Sequence, residues 1–287
     1  MRAFDMRFGQ AHGEFLSIGA LDTRASLLAI ANEDYNSLDV LRLDALTIPD
    51  HPANYQLNPG WFGLPSFGVQ GNVVLSSWVD PLGGSSLEDR VFLVEVDAQS
   101  GRLPVINQEV PVMNRILLQY RFEDMPITEL YSVFALETGW LISAGVAGRQ
   151  SSFLLTETGE VTPVFEDLRR FVVLGTDTFT DGSRLVLSEE GLFRSASGNV
   201  LDLEPMFANN TLRGVRVVED RILVWTGVDE LFELEGQGES AVLTRLNTEG
   251  LENLQLTDVA LFDGFVHIAT RNGLFKIAQE EFWMPAE

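Results

Sequence analysis

The segment 181–194, DGSRLVLSEEGLFR, contains a turn, an apolar strand, a second turn and a second strand that opens with Leu-Phe. The same order recurs at 219–234, EDRILVWTGVDELFEL, and at 263–277, DGFVHIATRNGLFKI. Apolar runs of about four to eight residues that stop at Gly, Asp or Asn are typical of β-strands. The three segments therefore predict a repeated antiparallel hairpin.

Looser copies of this hairpin lie upstream, at 138–155, 70–94 and 26–41. The first apolar residues of the six copies stand at 27, 73, 141, 185, 222 and 266. Their mean spacing is about 48 residues, and units of about 40–50 residues with four antiparallel strands are the blades of β-propellers. We predict an all-β chain with one β-propeller domain over 1–287 and six four-stranded blades, with five or seven blades as alternatives.

The Gly-Leu-Phe elements at 191–193 and 273–275 are similar to those of bacterial β-propeller repeat proteins, including two-component-regulator-type and WD40-like propellers. The resemblance extends over nearly the whole chain at the level of the fold. Because propellers support many unrelated activities, it implies no particular activity.

The longest step between copies runs from 73 to 141 and exceeds one blade. It predicts an insertion within about 81–128, shared between a loop at 81–89 and a segment at 111–126. Residues 113–120 and 166–170 are the best helix candidates in the chain. We expect the last blade to be closed by a strand from residues 1–8, or alternatively by residues 281–284 alone.

Charge and composition limit the partners. The chain has 287 residues, 19 basic and 42 acidic side chains, a formal net charge of −23 and no cysteine. Disulfide frameworks, thiolate metal sites and cysteine nucleophiles are therefore excluded. Because nucleic acids and anionic membranes attract clustered basic residues, neither is an expected partner. A protein with a basic patch, or a divalent cation, suits this charge better.

No catalytic constellation is evident in the sequence. A Gly-x-Ser-x-Gly elbow and a phosphate-binding Gly-x-x-x-x-Gly-Lys loop are both absent, and the three histidines, His12, His51 and His267, are far apart. His267 lies between Val266 and Ile268, so we expect it to be a core residue. We assign no catalytic, cofactor-binding or metal-ligating residue. Calcium held by oxygen ligands from separate blades, as in calcium-dependent lactonases, leaves no contiguous motif and stays an alternative.

Five aromatic residues form the expected partner-binding surface, because they lie in predicted loops or in the predicted insertion. They are Trp61, Phe62, Trp78, Tyr120 and Phe122. Core packing is the competing explanation for each of them, since large aromatic side chains are buried on average.

The amino terminus lacks the apolar run of a signal peptide, and no stretch is long enough to span a bilayer. The expected location is cytoplasmic or inside a virion or similar particle. The leading hypothesis is a non-catalytic propeller that acts as a protein-interaction or scaffold component of a larger assembly. The alternatives are a structural component of a phage or injection-system particle and a lactonase-like hydrolase that depends on a divalent metal.

Overall fold

A computed structural model describes the strands between residues 5 and 119 and most of the chain thereafter. The described residues are 5–12, 15–22, 25–32, 38–42, 56–57, 67–70, 73–79, 90–95, 115–262, 264–270 and 273–283. Before residue 120 the structure describes the backbone of these strands and one side chain, that of Leu75. Trp61 and Phe62 lie outside the described residues.

Three successive four-stranded sheets occupy the continuous part of the chain, and each follows its sequence order without a crossover. Their strands are β12 (Thr128–Leu136), β13 (Gly139–Val146), β14 (Arg149–Leu155) and β15 (Val161–Pro163); β16 (Val173–Thr178), β17 (Arg184–Ser188), β18 (Gly191–Ser195) and β19 (Glu204–Phe207); β20 (Leu212–Val218), β21 (Arg221–Thr226), β22 (Leu231–Glu235) and β23 (Val242–Arg245). All neighbouring strands are antiparallel.

The remaining described strands form three further sheets and one ribbon. The first sheet has the order β1 (Asp5–His12), β2 (Phe15–Asp22), β3 (Ala25–Asn32) and β4 (Leu38–Arg42). The second contains β5 (Gln56–Leu57), β6 (Phe67–Gln70), β7 (Val73–Val79), β8 (Arg90–Glu95) and β9 (Arg115–Gln119), and both β5 and β6 pair with β7. The ribbon is β10 (Arg121–Phe122) with β11 (Met125–Pro126), and the last sheet is β24 (Leu256–Phe262), β25 (Phe265–Thr270) and β26 (Gly273–Ala278).

The structure confirms the repeated hairpin as the second and third strands of successive sheets. Each of the three quoted segments contains one such pair: β17 with β18, β21 with β22, and β25 with β26. The assignment of the first repeat was wrong by one strand. Residues 26–30 lie in β3, the third strand of its sheet, because β1 and β2 precede it.

A β-bulge recurs at the start of the first strand in four successive sheets. The pairing of this strand with the second strand shifts at Tyr131, Leu174, Arg213 and Thr257. A bulge bends its strand and increases the local twist. Successive sheets therefore repeat the position of a β-bulge as well as the pattern of apolar residues.

The two predicted helices are absent at their predicted places. Residues 115–119 form β9, whose Ile116 and Leu118 lie opposite Val94 and Leu93 of β8, and residues 166–170 form a turn and irregular chain. An apolar run as short as 116–118 fits a strand as well as a helix, and pairing with β8 decides between them. Among the described residues, the helices are a 3-10 turn (Gly238–Ser240) and the short α1 (Gln279–Phe282).

The predicted closing strands also differ from the structure. Residues 5–8 belong to β1, which pairs with β2 in its own sheet, and residues 281–282 lie in α1. β1 packs beside β24 of the last sheet. In the described chain, β1 and β24 therefore pack side by side but belong to different sheets.

Two compact units divide the chain. One contains 1–22, 29–38 and 173–287, and the other contains 23–28 and 39–172. The core of the second unit is built around Trp140, Phe153 and Tyr120. A core of the first unit contains Leu223, Trp225, Val259 and Phe282. The single domain over 1–287 and its insertion within 81–128 stay predictions.

One glycine is required by a close approach in this core. Gly214 lies opposite Trp225 in the pairing of β20 with β21. A Cβ atom on Gly214 would lie 1.9 Å from Cζ2 of the Trp225 ring. Only a residue without a side chain lets the indole lie flat against this strand.

Candidate functional site

Of the five predicted aromatic residues, the structure describes the side chains of two, Tyr120 and Phe122. Trp78 lies in β7, between Leu57 of β5 and Arg90 of β8 in the pairing, and its side chain is outside the description. Phe122 is half-buried against the core of its unit, with its ring centroid 5.4 Å from that of Phe153. The prediction that Tyr120 belongs to a binding surface was wrong, because this residue is 1% exposed.

Tyr120 is held in the core by its hydroxyl as well as by its ring. The hydroxyl donates a hydrogen bond of 2.8 Å to the carbonyl oxygen of Thr156. Burial, with a smaller contribution from the charge of Glu157, raises the pKa of Tyr120 to about 12. The protonated phenol is therefore the form that fits the folded core.

We expect the free energy of unfolding to fall at high pH because of Tyr120. Its folded-state pKa of about 12 exceeds that of an unfolded tyrosine, about 10, so the stabilisation is complete below about pH 10 and is lost as the pH rises towards 12. Urea unfolding of wild type and Tyr120→Phe between about pH 8 and 11.5 measures this. The variant should lose less stability than wild type over that interval. Equal losses in the two proteins would contradict the assignment.

An ion-pair cluster joins the first strands of three successive sheets. Arg216 of β20 donates from Nε and Nη2 to the two carboxylate oxygens of Asp258 in β24, at 2.8 and 2.7 Å. Its Nη1 lies 3.9 Å from Oδ2 of Asp177 in β16. That same oxygen accepts a 2.8 Å hydrogen bond from the backbone N–H of Val217.

The opposite charges of this cluster hold neighbouring sheets together, and we call such an arrangement a clamp. Burial by itself lowers the pKa of Arg216, but the charge and hydrogen bonds of Asp258 and the charge of Asp177 raise it above its ordinary value. The side chain of Asp258 is 5% exposed, and both of its oxygens are occupied by the guanidinium. A carboxylate in this state is a poor general base, because its proton-accepting oxygens are already used.

A second clamp anchors the helix that follows the last strand. Arg221 of β21 donates from Nε to Oε1 of the buried Glu233 at 2.6 Å, and a second bond joins Nη2 to Oε2. Cζ of Arg221 lies 3.7 Å from the centroid of the Trp283 ring. The stacked guanidinium therefore links β21 and β22 to the residue immediately after α1.

The structure confirms the core position of His267, which is 1% exposed in β25. Among the described residues, no group of three or more His, Cys, Asp or Glu side chains could hold a metal ion. Within the same part of the chain, no helix is long and apolar enough to cross a membrane.

Sequence reasoning missed a surface patch beside the sheet formed by β20, β21, β22 and β23. We call it the acidic patch, and it consists of Val228, Asp229, Glu249 and Glu252. Val228 is 53% exposed. Oδ2 of Asp229 accepts a 3.0 Å hydrogen bond from the backbone N–H of Asn253, so the turn after β21 lies against the loop after β23.

The charges of the acidic patch act on each other. A backbone hydrogen bond from Gly250 to the Glu252 carboxylate lowers the pKa of Glu252, and the nearby charge of Asp229 opposes this shift. Asp229 and Glu252 are therefore close enough for their charges to interact. No sequence motif marks the patch, because its residues come from two loops that meet only in the folded chain.

Comparisons with known proteins support the fold. No family model matches the chain, and no curated protein matches it. A catalytically inactive virginiamycin B lyase from Staphylococcus aureus with quinupristin has a TM-score of 0.52 at 7% identity, over 95% of this chain and 93% of the lyase. BamB from Moraxella catarrhalis has a TM-score of 0.45 at 12% identity, over 92% and 79%. YCF48 from Cyanidioschyzon merolae has a TM-score of 0.45 at 11% identity, over 98% and 86%.

The lyase is a β-propeller protein, and the chain has the all-β propeller fold that the repeat predicted. Identities of this size carry the fold alone, since one fold supports many activities. The number of six blades stays a prediction. No activity passes to this chain from the comparisons.

Proposed function

We propose that this chain is a non-catalytic β-propeller that binds a protein partner through the acidic patch. The observation that carries the proposal is an exposed valine, Val228, in the turn that Asp229 joins to the acidic loop after β23. An apolar centre with a charged margin is the usual anatomy of a protein-binding surface. A partner with a basic margin around an apolar contact complements it, in keeping with the net charge of −23.

The ion pairs elsewhere support a binding role over catalysis. Arg216 bonds to Asp258 across two sheets. Arg221 bonds to Glu233 within one sheet. Their charges stabilise the arrangement of strands and are not directed at a substrate. The acidic patch differs because its carboxylates lie in surface loops and accept hydrogen bonds from backbone N–H groups, Glu252 from its own loop and Asp229 from the neighbouring loop.

The test compares two triple variants with the same net charge. The patch variant is Asp229→Asn, Glu249→Gln and Glu252→Gln, which keeps an oxygen acceptor at each position. The control variant is Glu123→Gln, Glu137→Gln and Glu157→Gln, three residues exposed elsewhere. Tagged proteins capture partners from the native source at low ionic strength, and mass spectrometry quantifies them.

We expect one stoichiometric partner with wild type and control, and about tenfold less with the patch variant, which corresponds to about 1.4 kcal/mol. Raising the salt to about 1 M should release it, because screening then acts over about 3 Å. Equal capture by both variants would contradict the patch. Absence of any partner, together with a thermal stability that falls when calcium is chelated, would favour the metal-dependent hydrolase instead.

A further inference from the structure

The last described sheet is one strand short of its predecessors. β24, β25 and β26 form a three-stranded sheet, whereas the three sheets before it have four strands each. In those sheets the third strand is covered by a fourth, which is β15, β19 or β23. In the described part of the chain, no strand pairs with the outer edge of β26.

The exposure of β26 agrees with a missing neighbour. Four of the five residues of β18 are buried and three of the five residues of β22 are buried. None of the six residues of β26 is buried, although Leu274, Phe275 and Ile277 are apolar. An open edge with apolar side chains is a template for another strand.

The pairing identifies which backbone groups face outward. The N–H of Gln279 donates to the carbonyl oxygen of Gly264 at 3.2 Å, so residues 264 and 279 form a hydrogen-bonded pair at one end of the hairpin. Such pairs alternate along antiparallel strands. Residues 275 and 277 therefore bond towards β25, whereas the N–H and C=O groups of Leu274 and the N–H of Ala278 point to the open edge.

The charge next to this edge indicates what kind of strand fits. Glu280 and Glu281 follow β26 directly, and both are exposed. The side chain of Lys276 lies over the ring of Phe265, with Nζ 3.7 Å from the centroid, so it covers the sheet face and leaves the edge accessible. An extended segment with alternating apolar and basic residues complements both the edge and the carboxylates.

We propose that an extended basic segment of the partner protein adds to β26 as a fourth strand. This inference rests on the proposed function, because it concerns the same partner. Addition of a strand would satisfy the outward groups of Leu274 and Ala278. It would also cover Leu274, Phe275 and Ile277 as the fourth strand covers the third in the preceding sheets.

The first measurement is residue-resolved amide hydrogen exchange by NMR on the full chain. The probe is an eight-residue peptide of alternating valine and lysine at millimolar concentration, and the control peptide has glutamate in place of lysine. We expect the amides of Leu274 and Ala278 to exchange rapidly in the free protein and about tenfold more slowly with the basic peptide, the effect of one added hydrogen bond. The acidic peptide should leave them unchanged.

Either of two results would overturn the proposal. Slow exchange of Leu274 and Ala278 in the free protein would show that the chain already covers this edge. Rapid exchange of both amides at saturating basic peptide would show that the edge accepts no strand.

A matched pair of variants separates this inference from the proposed function. Leu274→Pro removes an outward N–H and blocks strand addition, whereas Leu243→Pro removes an N–H of the outer strand β23 that faces away from β22, where proline is tolerated. In the capture experiment, Leu274→Pro should lose the partner and Leu243→Pro should retain it. Capture by both variants would refute strand addition and leave the proposed function standing, and absence of any partner with wild type would refute the proposed function itself.

Discussion

Replacing Arg216 by alanine is expected to lower the free energy of unfolding by about 3–5 kcal/mol, because it leaves the buried charge of Asp258 without a partner. Asp258 is 5% exposed and receives both guanidinium hydrogen bonds. Water cannot replace those bonds without entering the space between two sheets. Urea unfolding followed by circular dichroism measures the loss.

Two controls distinguish this clamp from a general effect of removing arginine. Arg213 is exposed and donates only to backbone oxygens of Asn210 and Leu212, so Arg213→Ala should cost less than about 1 kcal/mol. The double variant Arg216→Met with Asp258→Leu removes both charges and should recover at least half of the loss. A double variant no more stable than Arg216→Ala would contradict an uncompensated charge as the cause.

Replacing Phe282 by alanine is expected to cost about 3–5 kcal/mol, the usual result of leaving a cavity where a buried phenylalanine stood. Phe282 is 0% exposed and belongs to the core cluster with Leu223, Trp225 and Val259. Its ring also lies 4.8 Å from that of Trp283 in an edge-to-face arrangement. The helix α1 is too short to form without such packing.

The loss at Phe282 should concentrate in the last sheet. Hydrogen exchange should accelerate most in β25 and β26, because α1 continues directly from β26. Val242→Ala is the control, since Val242 is exposed on an outer strand and its truncation should change stability by no more than about 0.5 kcal/mol. A loss below about 1 kcal/mol for Phe282→Ala would show that the helix contributes little to this core.

The repeat was readable from the sequence because its signal is local. Turn residues, alternating apolar residues and the Leu-Phe pair occur within segments such as 181–194, and each segment folds against its own neighbours. The same locality explains the errors. The first repeat was assigned to β3, although β1 and β2 precede β3 in the same sheet, and 115–119 is a strand because β8 pairs with it.

The candidate site was not readable in this way. Tyr120 was grouped with surface aromatics, and only packing shows that it is buried with its hydroxyl bonded to Thr156. The acidic patch joins residues 228–229 to residues 249 and 252 through the contact of Asn253 with Asp229. Contacts of this kind have no period and no motif.

The sequence by itself determined the all-β class, the repeated hairpin and the strongly acidic charge, since these depend on residue type and short spacing. The tertiary structure alone decided which charges are paired, which aromatic residues are buried and which strand edge is open. Arg216 and Asp258 are 42 residues apart, and they meet because the first strands of successive sheets lie side by side. Burial and pairing are properties of that arrangement, so no local pattern in the chain encodes them.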